Sequence, residues 1–309
     1  MKRRFVFFTL CVLFLRVLLP DPSASAAENC YYLLTEYSGE CGDGGASTTS
    51  GGAFPSFSDA FNLNPASLPT FKTPFGAEAI ISRTQGHSKT EVNFSATKGF
   101  KGGGIAAATN NDETFFSNNR LEAYDGITGQ TILNSVSRQS ATGQSAVFGG
   151  ALGIPLGKKM EKITKPALGV SFRYNRLTGN IDPVFGVSIN SQVASFGYSQ
   201  FTENPGKGIP TATTQIFDFG VKIPHLHVEY TLTKYSTQGY STTANTFTAS
   251  TVFGRFMGTL ALKTFDNILK QSVAKYLVGA EFRFSSTLTL TYLYDYLPSV
   301  SSLGMQLFL

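Results

Sequence analysis

The amino-acid sequence predicts an all-β protein, a transmembrane antiparallel β-barrel of roughly 12 or 14 strands preceded by an irregular N-terminal segment. Three observations lead there. Apolar and polar residues alternate with period two, in segments of about ten residues, over most of the chain from Gly76 onward. Aromatic residues are abundant, 27 Phe and 13 Tyr in 309 residues, against only 15% charged residues. After the first 26 residues no stretch approaches the roughly 18 to 20 consecutive apolar residues of a membrane-spanning helix. A chain this aromatic must set its apolar surface against something, which argues against disorder. A chain without a spanning helix that enters a membrane must do so as a closed barrel.

The elements follow in chain order. Lys2, Arg3 and Arg4 precede the apolar run from Phe5 to Leu15, and Ala24-Ser25-Ala26 has the small-x-small form of a signal-peptidase site, so residues 1–26 are expected to be an export signal. Arg16 interrupts the run and makes it short for an uncleaved anchor. Loss of this segment removes four basic residues and one acid and takes the formal charge from +5 to about +2. The basic character is then mostly a targeting feature, and nucleic acid is not an expected partner.

Cys11 lies inside the signal, whereas Cys30 and Cys41 remain as an even pair in a compartment where disulfides persist. A bridge between them would add on the order of 3 kcal/mol through loop closure. Their spacing fits no metal motif, and neither a metal nor another cofactor is expected. Residues 27–75 are expected to form a plug or periplasmic segment: from Gly42 to Pro74 they are rich in Gly, Ser, Thr and Pro, with a short helix expected over Phe57 to Leu63.

Residues 76–309 are expected to form the barrel. The clearest alternation lies in Pro166 to Arg176, Gln215 to Ile223, His225 to Thr233, Phe256 to Leu262, Tyr276 to Phe284 and Leu288 to Tyr294. Weaker strands are expected near Ala79 to Thr84, Thr90 to Lys98, Gly103 to Thr109, Thr114 to Tyr124, Gln144 to Ile154, Val184 to Asn190, Val193 to Phe201 and Ala244 to Phe253. A soluble β-sandwich also alternates, but these strands are long for one and tyrosines gather at their ends, as in an interfacial girdle. An even strand number places both chain ends on the periplasmic side of a bacterial barrel.

The last residues, Ser302-Leu303-Gly304-Met305-Gln306-Leu307-Phe308-Leu309, resemble the assembly signal of bacterial outer-membrane barrels, departing from it by ending in Leu. The resemblance implies an outer-membrane location in a Gram-negative bacterium, with the barrel-assembly machinery, membrane lipids and lipopolysaccharide as partners. Ahead of the first strand, Asn64-Pro65-Ala66 resembles the triplet in the N-terminal plug of the long-chain fatty-acid transporter family, as does the strand phrase Leu168 to Asn175 within the same plug-then-barrel order. That resemblance implies a hatch inside the barrel and passage of small hydrophobic compounds, with Phe61, Asn64 and Pro65 as substrate-contacting residues. The chain is short for that family.

The polar phase of the strands gives the expected lumen lining: Arg173, Asp218, Lys222, His227, Glu229, Lys263, Lys275, Glu281, Arg283 and Asp295. Its mixed signs favour a plugged or narrow barrel over an open porin with a one-sign charge ring. His225, His227 and Glu229 share one strand face and could act on lipids as acid and base, an enzymatic alternative. No Gly-x-Ser-x-Gly elbow supports a serine hydrolase. The leading expectation is therefore a transporter or channel and not an enzyme, with a structural or adhesive surface barrel as the third possibility.

Overall fold

The computed structural model describes residues 64–67, 75–84, 90–100, 102–110, 145–157, 164–174, 179–191, 193–203, 211–223, 226–237, 240–266, 272–285, 287–295 and 300–308. The export signal, Cys30, Cys41, Phe61, the expected Phe57 to Leu63 helix, the expected Thr114 to Tyr124 strand and His225 lie outside them.

Fourteen antiparallel strands close into one barrel. They are β1 (Phe75–Thr84), β2 (Thr90–Phe100), β3 (Gly103–Asn110), β4 (Ser145–Gly153), β5 (Thr164–Tyr174), β6 (Ile181–Ser191), β7 (Ala194–Glu203), β8 (Ala212–Ile223), β9 (Leu226–Thr237), β10 (Tyr240–Phe253), β11 (Phe256–Asp266), β12 (Ser272–Arg283), β13 (Leu288–Asp295) and β14 (Val300–Phe308). Each strand pairs with its sequence neighbours, and β1 pairs with β14 from Gly76↔Phe308 to Thr84↔Val300, so no open edge remains. Because the number is even, Phe75 and Phe308 stand at the same rim.

Connections differ between the rims. At the rim holding the chain ends, four of the six links between strands are two residues long (101–102, 192–193, 224–225, 254–255). Such tight hairpins need left-handed backbone, which Gly102 (φ 85) and Gly254 (φ 58) supply. At the opposite rim the β3–β4 link covers residues 111–144. Short turns on one side and long ones on the other are the usual asymmetry of outer-membrane barrels.

The alternation sorts side chains into two faces. Every strand carries at least one large apolar residue that is exposed on the outside, among them Phe94, Ile105, Leu152, Phe185, Phe219, Phe247, Leu260 and Leu303. Their described neighbours in sequence point inward, and nearly all of them are buried. This inverts the arrangement of a water-soluble protein, whose contiguous apolar surface stays small. The apolar belt has a visible limit at the rim opposite the termini. There Gln200, Gln215 and Lys234 face outward side by side in register, Gln215 Nε2 donates to Gln200 Oε1 at 3.1 Å, and the Lys234 ammonium lies 5.5 Å from the centre of the Phe217 ring.

Two local devices hold the closure. Glu78, buried on the inner face of β1, accepts from Gln306 Nε2 of β14 at 2.9 Å and from Ser95 Oγ of β2 at 3.2 Å, stitching three strands across the seam. Between β2 and β3 the paired ladder runs from Ser95↔Ala108 to Phe100↔Gly103. Just beyond it the Thr109 hydroxyl takes the Phe94 N–H at 2.8 Å and donates back to the Phe94 carbonyl at 3.3 Å, so a side chain satisfies both backbone groups.

Candidate functional site: the occupied inner wall

A 3₁₀ turn, Pro65–Ser67, sits inside the barrel against the inner wall of β4, β5 and β6. Its start is local chemistry. Asn64 Oδ1 accepts the Ala66 N–H at 3.0 Å, the Asx arrangement that makes Asn-Pro a good turn opener, and proline needs no partner for its nitrogen. Two further bonds dock the turn on β6: Asn64 Nδ2 donates to the Val187 carbonyl at 3.1 Å, and Ser188 Oγ donates to the Ala66 carbonyl at 2.8 Å. Asn64 and Ala66 are almost fully buried, 0% and 2% exposed.

The wall makes room for this contact by lacking side chains. Gly169 on β5 stands opposite Gly186 on β6, and Ala151 on β4 stands opposite Gly169. A Cβ at Gly169 would drive into the Pro65 and Ala66 backbone; one at Gly186 would collide with the Asn64 side-chain oxygen and come within 3.0 Å of Pro65 Cδ. Sequence reasoning missed this pair. Its signal was two glycines in the inward phase of adjacent strands, legible once the strand register is known.

Around the turn the inner wall is apolar. Of the buried residues of β3 to β6 among those described, Ala106, Ala108, Val147, Ala151, Ala167 and Val184 are apolar against Ser171, Asp182 and Ser188, and Val184 continues into contact with Ile216 of β8. From β7 to β11 the balance reverses. Among the described buried residues there, Ile216, Ala244 and Ala261 and the glycines Gly197 and Gly220 interrupt an inner surface of Ser, Thr and ionisable groups, including Ser195, Asp218, His227, Glu229, Thr231 and Thr248. The barrel interior thus has two unlike walls.

Of the expected lumen residues, Asp218, His227, Glu229 and Glu281 face inward and are buried, at 2%, 2%, 1% and 9% exposure. Arg173, Lys222, Lys263, Lys275, Arg283 and Asp295 occupy the inward phase of their strands by backbone register, for example Arg173↔Asp182 and Lys222↔His227; their side chains lie outside what is described. Asp218 accepts from Thr231 Oγ1 at 2.9 Å. The His227 ring leans over Gly220, its Nε2 2.8 Å from where a Cβ would stand, towards Ser195 Oγ on the next strand. His227 and Glu229 are therefore turned away from the surface that would meet lipid. Among the described residues no group of three or more His, Cys, Asp or Glu is placed to hold a metal ion.

No family of known sequences and no curated protein matches the chain. Similar solved structures are outer-membrane barrels. A triple mutant of the Rhodopseudomonas blastica porin is 9% identical, with a TM-score of 0.42 over 77% of this chain and 99% of that one. A loop-deletion mutant of OmpT, an outer membrane protein of Vibrio cholerae, is 10% identical, with a TM-score of 0.38 over 76% of this chain and 98% of that one. Both scores mark a loose likeness, and neither assigns this chain a role.

Proposed function

We propose that the protein is an outer-membrane channel of a Gram-negative bacterium, occluded from within by its N-terminal segment and serving small hydrophobic compounds. The observation that carries this reading is the Asn64–Ser67 turn seated on the apolar side of the barrel interior. A compound of low polarity entering there meets Val147, Ala151 and Val184 and competes with few hydrogen bonds. Asn64 and Pro65 act as the latch. Release of the latch breaks the two hydrogen bonds to β6, each worth about 1 kcal/mol net, together with the close packing on Gly169 and Gly186, so thermal opening is rare but reachable. The belt of exposed apolar side chains on every strand supports the bilayer setting, with lipid and lipopolysaccharide as its surroundings. Residues 1–26 supply export, and the β14 edge is what the assembly machinery reads.

The test is single-channel recording in planar bilayers of the mature protein and of a variant lacking residues 42–74, with uptake of small hydrophobic compounds by cells carrying either form. The reading expects low basal conductance that rises when the segment is removed, and uptake that depends on the protein. Unchanged conductance removes the plug, and uptake equal to that of cells without the protein removes the substrate class.

A further inference from the structure

The outer face of β7 to β10 changes chemistry row by row. Phe196, Phe219, Tyr230 and Phe247 lie side by side in register and face outward. Farther from the chain ends stand Gln200, Gln215, Lys234 and Thr243, and beyond them Thr202, Thr213, Ser236 and Ser241. These two rows carry amides, hydroxyls and a single charge. Among the described strands the one outward-phase acid is Asp266, at the end of β11 and two strands from Lys234. The Lys234 side chain is exposed, and its ammonium lies 5.5 Å from the centre of the Phe217 ring, an attraction that holds it against the wall. Gln200 Oε1 accepts from the Tyr198 hydroxyl at 2.8 Å and from Gln215 Nε2 at 3.1 Å. With that oxygen doubly engaged, the N–H groups of the Gln200 amide and of the Lys234 ammonium still meet no acceptor among the described residues.

We propose that this band binds the phosphorylated sugar headgroup of an outer-leaflet glycolipid, with the Lys234 ammonium and the Gln200 amide as its donors. The proposal rests on the outer-membrane setting of the preceding reading and not on the passage of any compound through the barrel. The rim with short turns is the periplasmic one, so the band lies on the outer half of the wall. From Phe196 to Gln200 the tilted strand climbs about 10 Å towards the outer surface, which is the step from acyl chains to headgroups. A phosphate at that depth meets a cation fixed on an aromatic ring and no acid on the same four strands. Sugar hydroxyls beside it meet Thr243 and Ser236, whose hydroxyls both donate and accept. A phospholipid offers the phosphate but no ring of hydroxyls to this surface, which is why a glycolipid fits it better. Below the band, Tyr198 packs on Phe217 with ring centres 5.0 Å apart and Tyr230 on Phe247 at 4.9 Å, an aromatic floor for the acyl chains.

Native mass spectrometry of the full mature protein, refolded in detergent free of lipopolysaccharide and titrated with the lipid A portion in its phosphorylated and dephosphorylated forms, tests it. The expected result is one phosphorylated lipid A bound per chain, with affinity roughly tenfold or more weaker for the dephosphorylated lipid and for Lys234→Gln, and roughly threefold weaker for Gln200→Ala. Lys98→Gln removes an exposed cation beside the opposite rim, where Lys98 pairs with Phe75, and should leave binding unchanged. Should Lys234→Gln fail to show the heat-dependent gel shift of a closed barrel, Gln200→Ala decides. Binding undiminished by both variants, binding weakened equally by Lys98→Gln, or phosphatidylglycerol held as tightly as lipid A overturns the proposal. A native protein that shows the gel shift yet binds no lipid A overturns it and leaves the channel reading standing, whereas a native protein without the shift removes the barrel setting of both.

Discussion

The inner walls of β4–β6 and β7–β11 belong to the same barrel and obey the same alternation, yet they do different work. On β4–β6 glycine, alanine and valine outnumber Ser171, Asp182 and Ser188 among the described buried inward positions, and the wall receives a piece of backbone, the Asn64–Ser67 turn, at contact distance. On β7–β11 the inward positions carry hydroxyls and carboxyls that bond to one another, as Ser250 does with Thr259 at 2.8 Å and Thr231 with Asp218 at 2.9 Å. Alternation decides only which way a residue points. What the inside is for depends on size and chemistry at those positions: a wall without side chains admits another segment, and a wall of hydroxyls binds itself or a polar guest.

Adding volume to each wall separates them most strongly. Gly186→Val fills the space of the Asn64 side chain, and overpacking of this kind costs about 1–3 kcal/mol. We expect it to expel the turn and raise open-channel probability by one to two orders of magnitude, whereas Ser199→Val, one strand over and facing Gly186 in register, changes it by less than about threefold. Equal effects of the two would erase the distinction between the walls. The next largest effect is on the polar side, where Thr231→Val strips a hydrogen bond from a buried carboxyl and should lower the unfolding free energy in urea by about 1.5–3 kcal/mol with no change in conductance. Asn64→Ala loses both the Asx bond and the bond to Val187 and should weaken docking by about 1–2 kcal/mol, read as a tenfold or greater rise in opening frequency with barrel stability intact. Ser188→Ala removes the single bond to the Ala66 carbonyl and is worth about 1 kcal/mol in the same recording.

How much of this was legible in the sequence follows the same divide. Strands β5, β8, β9 and β11 to β13 alternate bulky apolar with polar residues, as in Phe217-Asp218-Phe219, so their direction of facing is a local property that a sequence displays. The β1–β3 region is harder, because Ala77, Ala79, Ala96 and Ala107 face outward while Ala106 and Ala108 face inward, and alanine on both sides flattens the contrast. The range of 12 or 14 strands resolves at the upper value once these segments pair. The Asn64-Pro65-Ala66 triplet was visible as a turn opener, but its receiving wall was not: Gly169 and Gly186 meet only because β5 and β6 pair in one register out of several. The contact between Asp218 and Glu229 was hidden for the same reason, since sequence shows their shared phase and register alone shows their proximity.

The central claim is that successive residues of each strand alternate between a hydrocarbon surround and the barrel interior. Spin labels placed singly at residues 259, 260, 261 and 262 of β11, in a background with Cys30 and Cys41 replaced by serine, report this directly in liposomes. The account predicts strong relaxation by dissolved oxygen at positions 260 and 262 and little at 259 and 261, following the exposure of Leu260 and the burial of Thr259 and Ala261. Equal oxygen access at all four positions, or strong relaxation of 260 by a water-soluble nickel complex, would contradict it.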